Sequence, residues 1–166
     1  MQQEIEQALV TLQKGGLILY PTDTVWGIGC DATNENAVQK MFQLKKRHES
    51  KALICLVSSL VMLEKIVNSV PQSAIKFLEN PTKPTTIIYD NPQGIAKNLI
   101  AEDNTLAVRV VSHEFCEQLI RKLKKPIVST SANISSEKTP KSFQEISKEI
   151  LEGVINLDKV FDVSIF

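Results

Sequence analysis

Leu12-Gln13-Lys14-Gly15-Gly16-Leu17-Ile18-Leu19-Tyr20-Pro21 is the stretch that decides the fold. Upstream of it, Ile5, Ala8, Leu9 and Leu12 recur at the spacing of one apolar helix face. Two glycines then stop the helix, because glycine readily takes the left-handed conformation that closes a helix C-terminus. The apolar run Leu17 to Tyr20 follows at once and reads as a buried strand. Helix followed directly by buried strand is the unit of an α/β protein.

The same alternation continues outward. Pro21 to Gly29 breaks regularity, and Thr33 or Asn34 caps a second helix carrying Ala37, Val38, Met41, Phe42 and Leu44. Leu53 to Val57 is another buried strand, and Ser58 or Ser59 starts a helix with Leu60, Val61 and Leu63. Ser69 and Gln72 form a capping box for a helix reaching Leu78. Thr85 to Tyr89 is rich in β-branched residues, and Leu106 to Val111 alternates as a strand, with a loop, Asp90 to Asn104, between them. A helix, Glu114 to Leu123, precedes the strand Ile127 to Thr130. Ser142 and Glu145 form a second capping box, on a helix to about Leu151, and Val154 to Leu157 is a last short strand. Without repeats, low-complexity tracts or linkers, the pattern predicts a mixed α/β fold with a twisted central sheet, in a strand order that the sequence leaves open.

Composition narrows the function classes. A chain of 166 residues suits one domain, expected over residues 1–166. Its 43% hydrophobic and 23% charged residues are those of a soluble globular protein. No apolar stretch is long enough to span a bilayer. The N-terminus lacks the basic start and apolar core of a signal peptide, so a cytoplasmic location is expected. Cys30, Cys55 and Cys116 are widely spaced among apolar neighbours and read as reduced packing residues. Nineteen basic residues balance nineteen acidic ones, which argues against broad attachment to nucleic acid and confines any RNA contact to a local patch.

Against that balance, Lys45, Lys46, Arg47, His48 and Lys51 form a knot of positive charge with Glu49 as its one acid. Cations at the mouth of a strand grip phosphate or carboxylate, although basic residues also complement an ordinary helix C-terminus. Pro21-Thr22-Asp23-Thr24-Val25-Trp26-Gly27-Ile28-Gly29 suits a ligand loop, with glycines for close approach, hydroxyls for polar groups and the indole as a flat wall; a plain turn around a packed Trp is the competing reading. Ser129-Thr130-Ser131-Ala132-Asn133 is a hydroxyl-rich strand end followed by Ser135, Ser136, Lys138 and Thr139. Arg109 is a guanidinium inside the apolar strand Leu106 to Val111, so it needs either an internal carboxylate or a bound anion. Neither a phosphate-loop motif nor a dinucleotide fingerprint occurs, and His48 and His113 lack a motif partner for a hydrolase triad. The chemistry reads as the positioning of anions.

Taken in order, these segments resemble the YrdC/TsaC family of threonylcarbamoyl-AMP synthases. The resemblance rests on Tyr20 to Gly29, Asp31-Ala32, Lys45-Lys46-Arg47 with Lys51, Thr105 to Arg109, and Ser129 to Asn133. It implies a twisted, mixed open sheet with flanking helices around a positively charged concave cavity. It further implies synthesis of threonylcarbamoyl-AMP and pyrophosphate from L-threonine, bicarbonate and ATP, usually with Mg²⁺ and without a redox cofactor. The product would feed the complex that makes threonylcarbamoyladenosine in tRNA, and tRNA contact belongs to the same picture. Position by position, the resemblance puts Thr24, Arg109 and Ser129 around the threonine. It puts Arg47, Lys51, Thr105, Ser131, Asn133 and Thr139 around the ATP, with Lys45 and Arg47 as the catalytic pair. No protein metal ligand is implied.

Two departures stand out. Thr82-Lys83-Pro84-Thr85-Thr86 replaces the family's Pro-Gly-Pro-x-Thr, and Leu157 to Phe166 reads as the lead-in to a Pro-Ser-Thr-Ile segment and a later Arg, so a truncated C-terminus is expected. The alternative reading is a non-catalytic nucleotide- or RNA-binding module of the same fold.

Overall fold

A computed structural model describes residues 1–22, 25–47 and 53–154. The first helix, α1 (Gln2–Gln13), buries Ile5, Ala8 and Leu12 as its spacing requires. It ends where Gly15, at φ +72°, turns the chain and Gly16 N–H reaches back to the Thr11 carbonyl. Strand β1 (Ile18–Pro21) follows and pairs antiparallel with β2 (Trp26–Asp31). Helix α2 (Glu35–Leu44) is capped by Asn34, whose side chain accepts from Ala37 N–H. Strand β3 (Ile54–Val57), helix α3 (Leu60–Ile66) capped by Ser59, and helix α4 (Gln72–Glu79) complete the first half. Strand β4 (Ile87–Asp90), strand β5 (Thr105–Val110), helix α5 (Glu114–Leu123), strand β6 (Ile127–Ser131) and helix α6 (Lys148–Gly153) complete the rest.

The six strands form one sheet in the order β1-β2-β6-β3-β5-β4. The β3–β5 pairing is parallel and the others are antiparallel, so the open sheet is mixed. Successive side chains alternate between its faces. Leu17, Leu19, Cys55, Val57 and Val128 pack on one side with Val38, Met41 and Phe42 of α2 and Leu63 of α3. Ile18, Tyr20, Leu56 and Ile127 pack on the other with α1 and with Phe115, Cys116, Leu119 and Ile120 of α5. All three cysteines are free and buried, in keeping with their reading as packing residues.

Several boundaries differ from expectation. Pro21 to Gly29 is not irregular throughout, because residues from Trp26 onward enter β2. Glycine is a poor strand former, yet here it makes room: a Cβ on Gly29 would lie 2.8 Å from Tyr20 Cε1, and one on Gly27 3.5 Å from Tyr20 Cζ. The first capping box is not formed; α4 starts after Pro71 without a side-chain cap. The second splits into a 3₁₀ turn (Phe143–Glu145) and α6, which Ser147 caps instead of Ser142. The Asp90 to Asn104 loop contains a 3₁₀ turn (Lys97–Leu99). The expected last strand lies mostly outside the described residues.

Tyr20 is fully buried, tilted against Phe115 at a ring-centroid separation of 6.0 Å. Its ring is therefore held by α5 as well as by β2, and Gly29→Ala should lower stability by about 1–3 kcal/mol through overpacking. Urea unfolding of the purified variant measures this, and an unchanged midpoint contradicts the packing described.

Candidate functional site

Along β6 the residues of the α1/α5 face run Ile127, Ser129, Ser131, changing from apolar to hydroxyl where the helices cease to cover the sheet. That uncovered part of the face is a cavity of about 290 Å³. Its lining includes Gly27 of β2, Ser129 and Ser131 of β6, Ile54 and Leu56 of β3, Arg109 of β5 and Arg47. Strand register explains the gathering. Gly27 lies opposite Ser131, Ser129 opposite Ile54, and Leu56 beside Arg109. Two strand spacings, about 10 Å, separate β6 from β5 across β3, room for a small ligand between Ser129 and Arg109.

Arg109 is half-buried on β5. Among the described residues no carboxylate pairs with it; its Nε and Nη2 both donate to Thr86 Oγ1, at 3.1 and 3.0 Å. Of the two partners the sequence left open, an internal acid is therefore missing among the described residues. A neutral hydroxyl fixes the guanidinium without cancelling its charge. Thr86 carried no signal of its own in the sequence beyond its place in the altered Pro-Gly-Pro-x-Thr segment.

Ser129 Oγ accepts a 2.7 Å hydrogen bond from the Tyr20 hydroxyl. Burial raises the phenol's pKa well above its ordinary value, so it remains a donor. In the sequence Tyr20 ends an apolar strand and opens the Tyr20 to Gly29 segment of the family resemblance, with no role of its own in the site. The two glycines facing it in β2 were the available sign that a large ring lies across them.

The basic knot divides into distinct parts. Lys46 takes a left-handed conformation, φ +50°, while Lys46 N–H donates to the Gln43 carbonyl and Arg47 N–H to that of Phe42. This is the double hydrogen bond of a Schellman helix end. It turns Arg47 toward the cavity and leaves Lys45 on the inside. Lys45 is 1% exposed. Its Nζ donates to the carbonyls of Ser131 and Asn133, both at 2.7 Å, and to Asn133 Oδ1 at 3.3 Å. Burial first, and the neighbouring Arg47 charge second, pull this ammonium down to about 8. Burial also lowers the Arg47 pKa from its usual value. Lys46 lies outside, paired with Glu149 at 2.9 Å.

Asn133 is held on several sides: its Oδ1 accepts from Ser131 Oγ at 2.5 Å as well as from Lys45, and its Nδ2 donates to the Glu137 carbonyl at 2.8 Å. Thr105 begins β5 with its hydroxyl donating to Asp103 Oδ1 at 2.6 Å, outside the cavity lining. Thr139 is half-buried and also outside that lining. Of the two readings of Trp26, the packed one matches the structure: its ring meets Phe143 edge-on at 5.4 Å and packs against the core. Thr24 and Lys51, with His48, lie outside the described residues. No cluster of three or more His, Cys, Asp or Glu side chains suited to a metal ion occurs among the described residues. No helix among them is long and apolar enough to cross a membrane.

Known proteins share this architecture. The Sua5/YciO/YrdC family model, described as telomere recombination, matches residues 10–161. A protein of Psychromonas ingrahamii named threonylcarbamoyl-AMP synthase is 34% identical over 169 aligned residues, covering 99% of this chain and 87% of that protein. The crystal structure of P. abyssi Sua5 complexed with L-threonine is 30% identical with a TM-score of 0.79, over 90% of this chain and 43% of that one. The chain thus spans less than half of the P. abyssi protein. E. coli YciO is 25% identical with a TM-score of 0.80, over 93% of this chain and 76% of that one. The extent of these matches and the shared six-stranded fold place the chain in the Sua5/YciO/YrdC family.

Proposed function

We propose that the chain is a threonylcarbamoyl-AMP synthase, a nucleotidyltransferase joining L-threonine, bicarbonate and ATP with release of pyrophosphate. One observation carries the reading: Arg47, Arg109, Ser129 and Ser131 line one cavity in a chain 34% identical to a synthase over nearly its whole length. In the proposed reaction the threonine amine takes up bicarbonate to give a carbamate and water. A carbamate oxygen then forms a bond to the α-phosphorus, and the bond from that phosphorus to pyrophosphate breaks. Two anions must meet, and cations at the meeting point offset their repulsion. Nucleophile and leaving group both come from the substrates, so alignment replaces a protein nucleophile.

Arg109 is assigned to the amino-acid carboxylate. Thr86 occupies its Nε and one side of Nη2, while Nη1 makes no hydrogen bond among the described residues and is available for a charge-assisted one. Ser129 and Thr24 complete the threonine site. Arg47 and Lys51 are assigned to the phosphates, with Ser131, Asn133, Thr105 and Thr139 around the rest of the nucleotide. Lys45, expected with Arg47 as the catalytic pair, is assigned a positioning task instead: its buried Nζ is taken up by Ser131 and Asn133, and it holds the chain that carries them. Mg²⁺ is assigned to the nucleotide, arriving on the ATP phosphates. One domain in the cytoplasm, supplying a complex that modifies tRNA and touching tRNA through local basic groups, completes the proposal.

Labelled ATP, bicarbonate, Mg²⁺ and L-threonine should yield threonine-dependent pyrophosphate. Failure of threonine to stimulate release removes the proposed activity. Arg109→Gln should raise the threonine KM about 10- to 100-fold, the worth of a charge-assisted hydrogen bond, and the ATP KM far less. Equal effects on both constants would contradict its assignment to the carboxylate.

Lys45 makes a second, pH-dependent expectation. Its folded pKa of about 8 lies below the ordinary 10.5, so between these values the unfolded chain binds the extra proton. Its contribution therefore disfavours folding at low pH and is relieved as pH rises through that window. Chemical unfolding from pH 7 to 11 should show the wild type gaining stability relative to Lys45→Met. A difference that stays flat across the window contradicts the lowered pKa.

A further inference from the structure

We propose that Tyr20 is a positioning residue for the amino-acid substrate: its hydroxyl fixes Ser129 so that the serine O–H points into the cavity as a donor. The proposal rests on the threonine-binding reading of that cavity. Three features carry it. The first is the bond itself: Tyr20 donates to Ser129 Oγ at 2.7 Å, and Ser129 makes no other side-chain hydrogen bond among the described residues. A serine hydroxyl has one hydrogen and two lone pairs. With one lone pair engaged by the phenol, its own hydrogen must point elsewhere. Among the described residues no side-chain or backbone oxygen takes it, and Ser129 lines the cavity.

The second feature is that the phenol has nowhere else to place its hydrogen. Tyr20 is fully buried, and Ser129 Oγ is the one hydrogen-bond partner of its hydroxyl among the described residues, so reversing the bond would leave a buried donor unmet. The third is the built pocket for its ring. Gly29 and Gly27 face it from β2, at distances where a Cβ would stand 2.8 Å from Cε1 and 3.5 Å from Cζ, and Phe115 backs it from α5. The ring is thus set in place by two strands and a helix, and it transmits that rigidity to one hydroxyl of the site. Arg109 then supplies charge from β5 while Ser129 supplies a directed donor from β6. Such a pair suits an amino acid bearing acceptor oxygens at both ends once its amine has become a carbamate.

The test is steady-state kinetics and threonine calorimetry on Tyr20→Phe, Ser129→Ala and the double variant. Tyr20→Phe keeps the ring and removes only the hydroxyl. Its threonine KM and Kd should rise about fivefold to tenfold, the worth of one oriented hydrogen bond, with the ATP KM moving less than twofold. The double variant should bind threonine no more weakly than Ser129→Ala alone, because the tyrosine acts only through the serine. Threonine constants within twofold of wild type, multiplicative effects in the double variant, or parallel rises for both substrates with a lowered unfolding midpoint would each overturn the proposal. Calorimetry separates it from the activity. Wild-type protein that binds threonine without forming pyrophosphate removes the synthase reading and leaves the affinity comparison decisive, whereas wild-type protein that binds no threonine overturns both.

Discussion

A buried ammonium ties the two halves of the site together. Lys45 closes α2, and its Nζ reaches the carbonyls of Ser131 and Asn133 at the end of β6, a separation of 86 and 88 residues along the chain. Desolvating a cation is costly, and no carboxylate is near enough to pair with it among the described residues. Oriented carbonyl dipoles stand in for water instead. The chain reciprocates, since Ser135 N–H donates to the Lys45 carbonyl. Arg47 emerges two residues later, and Ser131 stands at the cavity wall, so one buried contact sets the relation between a cationic and a hydroxyl part of the site.

Uneven covering of the sheet explains why the cavity exists where it does. Strand alternation gives both faces apolar side chains over β1, β3 and β6, and helices pack on both. On the α1/α5 face the cover ends between Ile127 and Ser129. Beyond that line β6 presents the hydroxyls of Ser129 and Ser131, and its sheet neighbours bring Gly27 of β2 and Arg109 of β5. The fold and the site are therefore one pattern read at different points along the same strands.

Much of this was legible in the residues. Gly15-Gly16 against Leu17 to Tyr20, and the helix expected over Glu114 to Leu123, gave a helix end, a strand and a helix that the structure reproduces. Arg109 stood out because a guanidinium inside an apolar strand conflicts with its surroundings. Less legible were features whose cause lies far away in sequence. Gly27 and Gly29 argue against a strand locally, and only the ring of Tyr20 across the hairpin explains them. Lys45, Lys46 and Arg47 read as one knot of charge, yet a left-handed residue at Lys46 sends them to three environments: buried among carbonyls, paired with Glu149 on the surface, and lining the cavity. Backbone handedness at one lysine is not encoded by composition. The capping boxes failed as well: α4 starts after Pro71 with no side-chain cap, and Ser147 caps α6.

The way Arg109 is held bears on how a site for anions stays ready. A carboxylate partner would have satisfied the guanidinium and reduced the potential available to a ligand. Thr86 instead takes two of its N–H groups with one neutral oxygen, which fixes the plane and leaves the formal charge intact. Ser129 is treated in the same manner, oriented by the Tyr20 hydroxyl without any charge being introduced. Neutral hydroxyls thus arrange a cationic group and a donor while the opposing charge is left to the ligand. Such preorganisation is stronger than the same groups would provide in water, because their dipoles need not reorient when an anion arrives. It also has a cost the fold must carry, since a half-buried guanidinium that pairs with no carboxylate among the described residues relies on its partial exposure and on Thr86 until an anion binds.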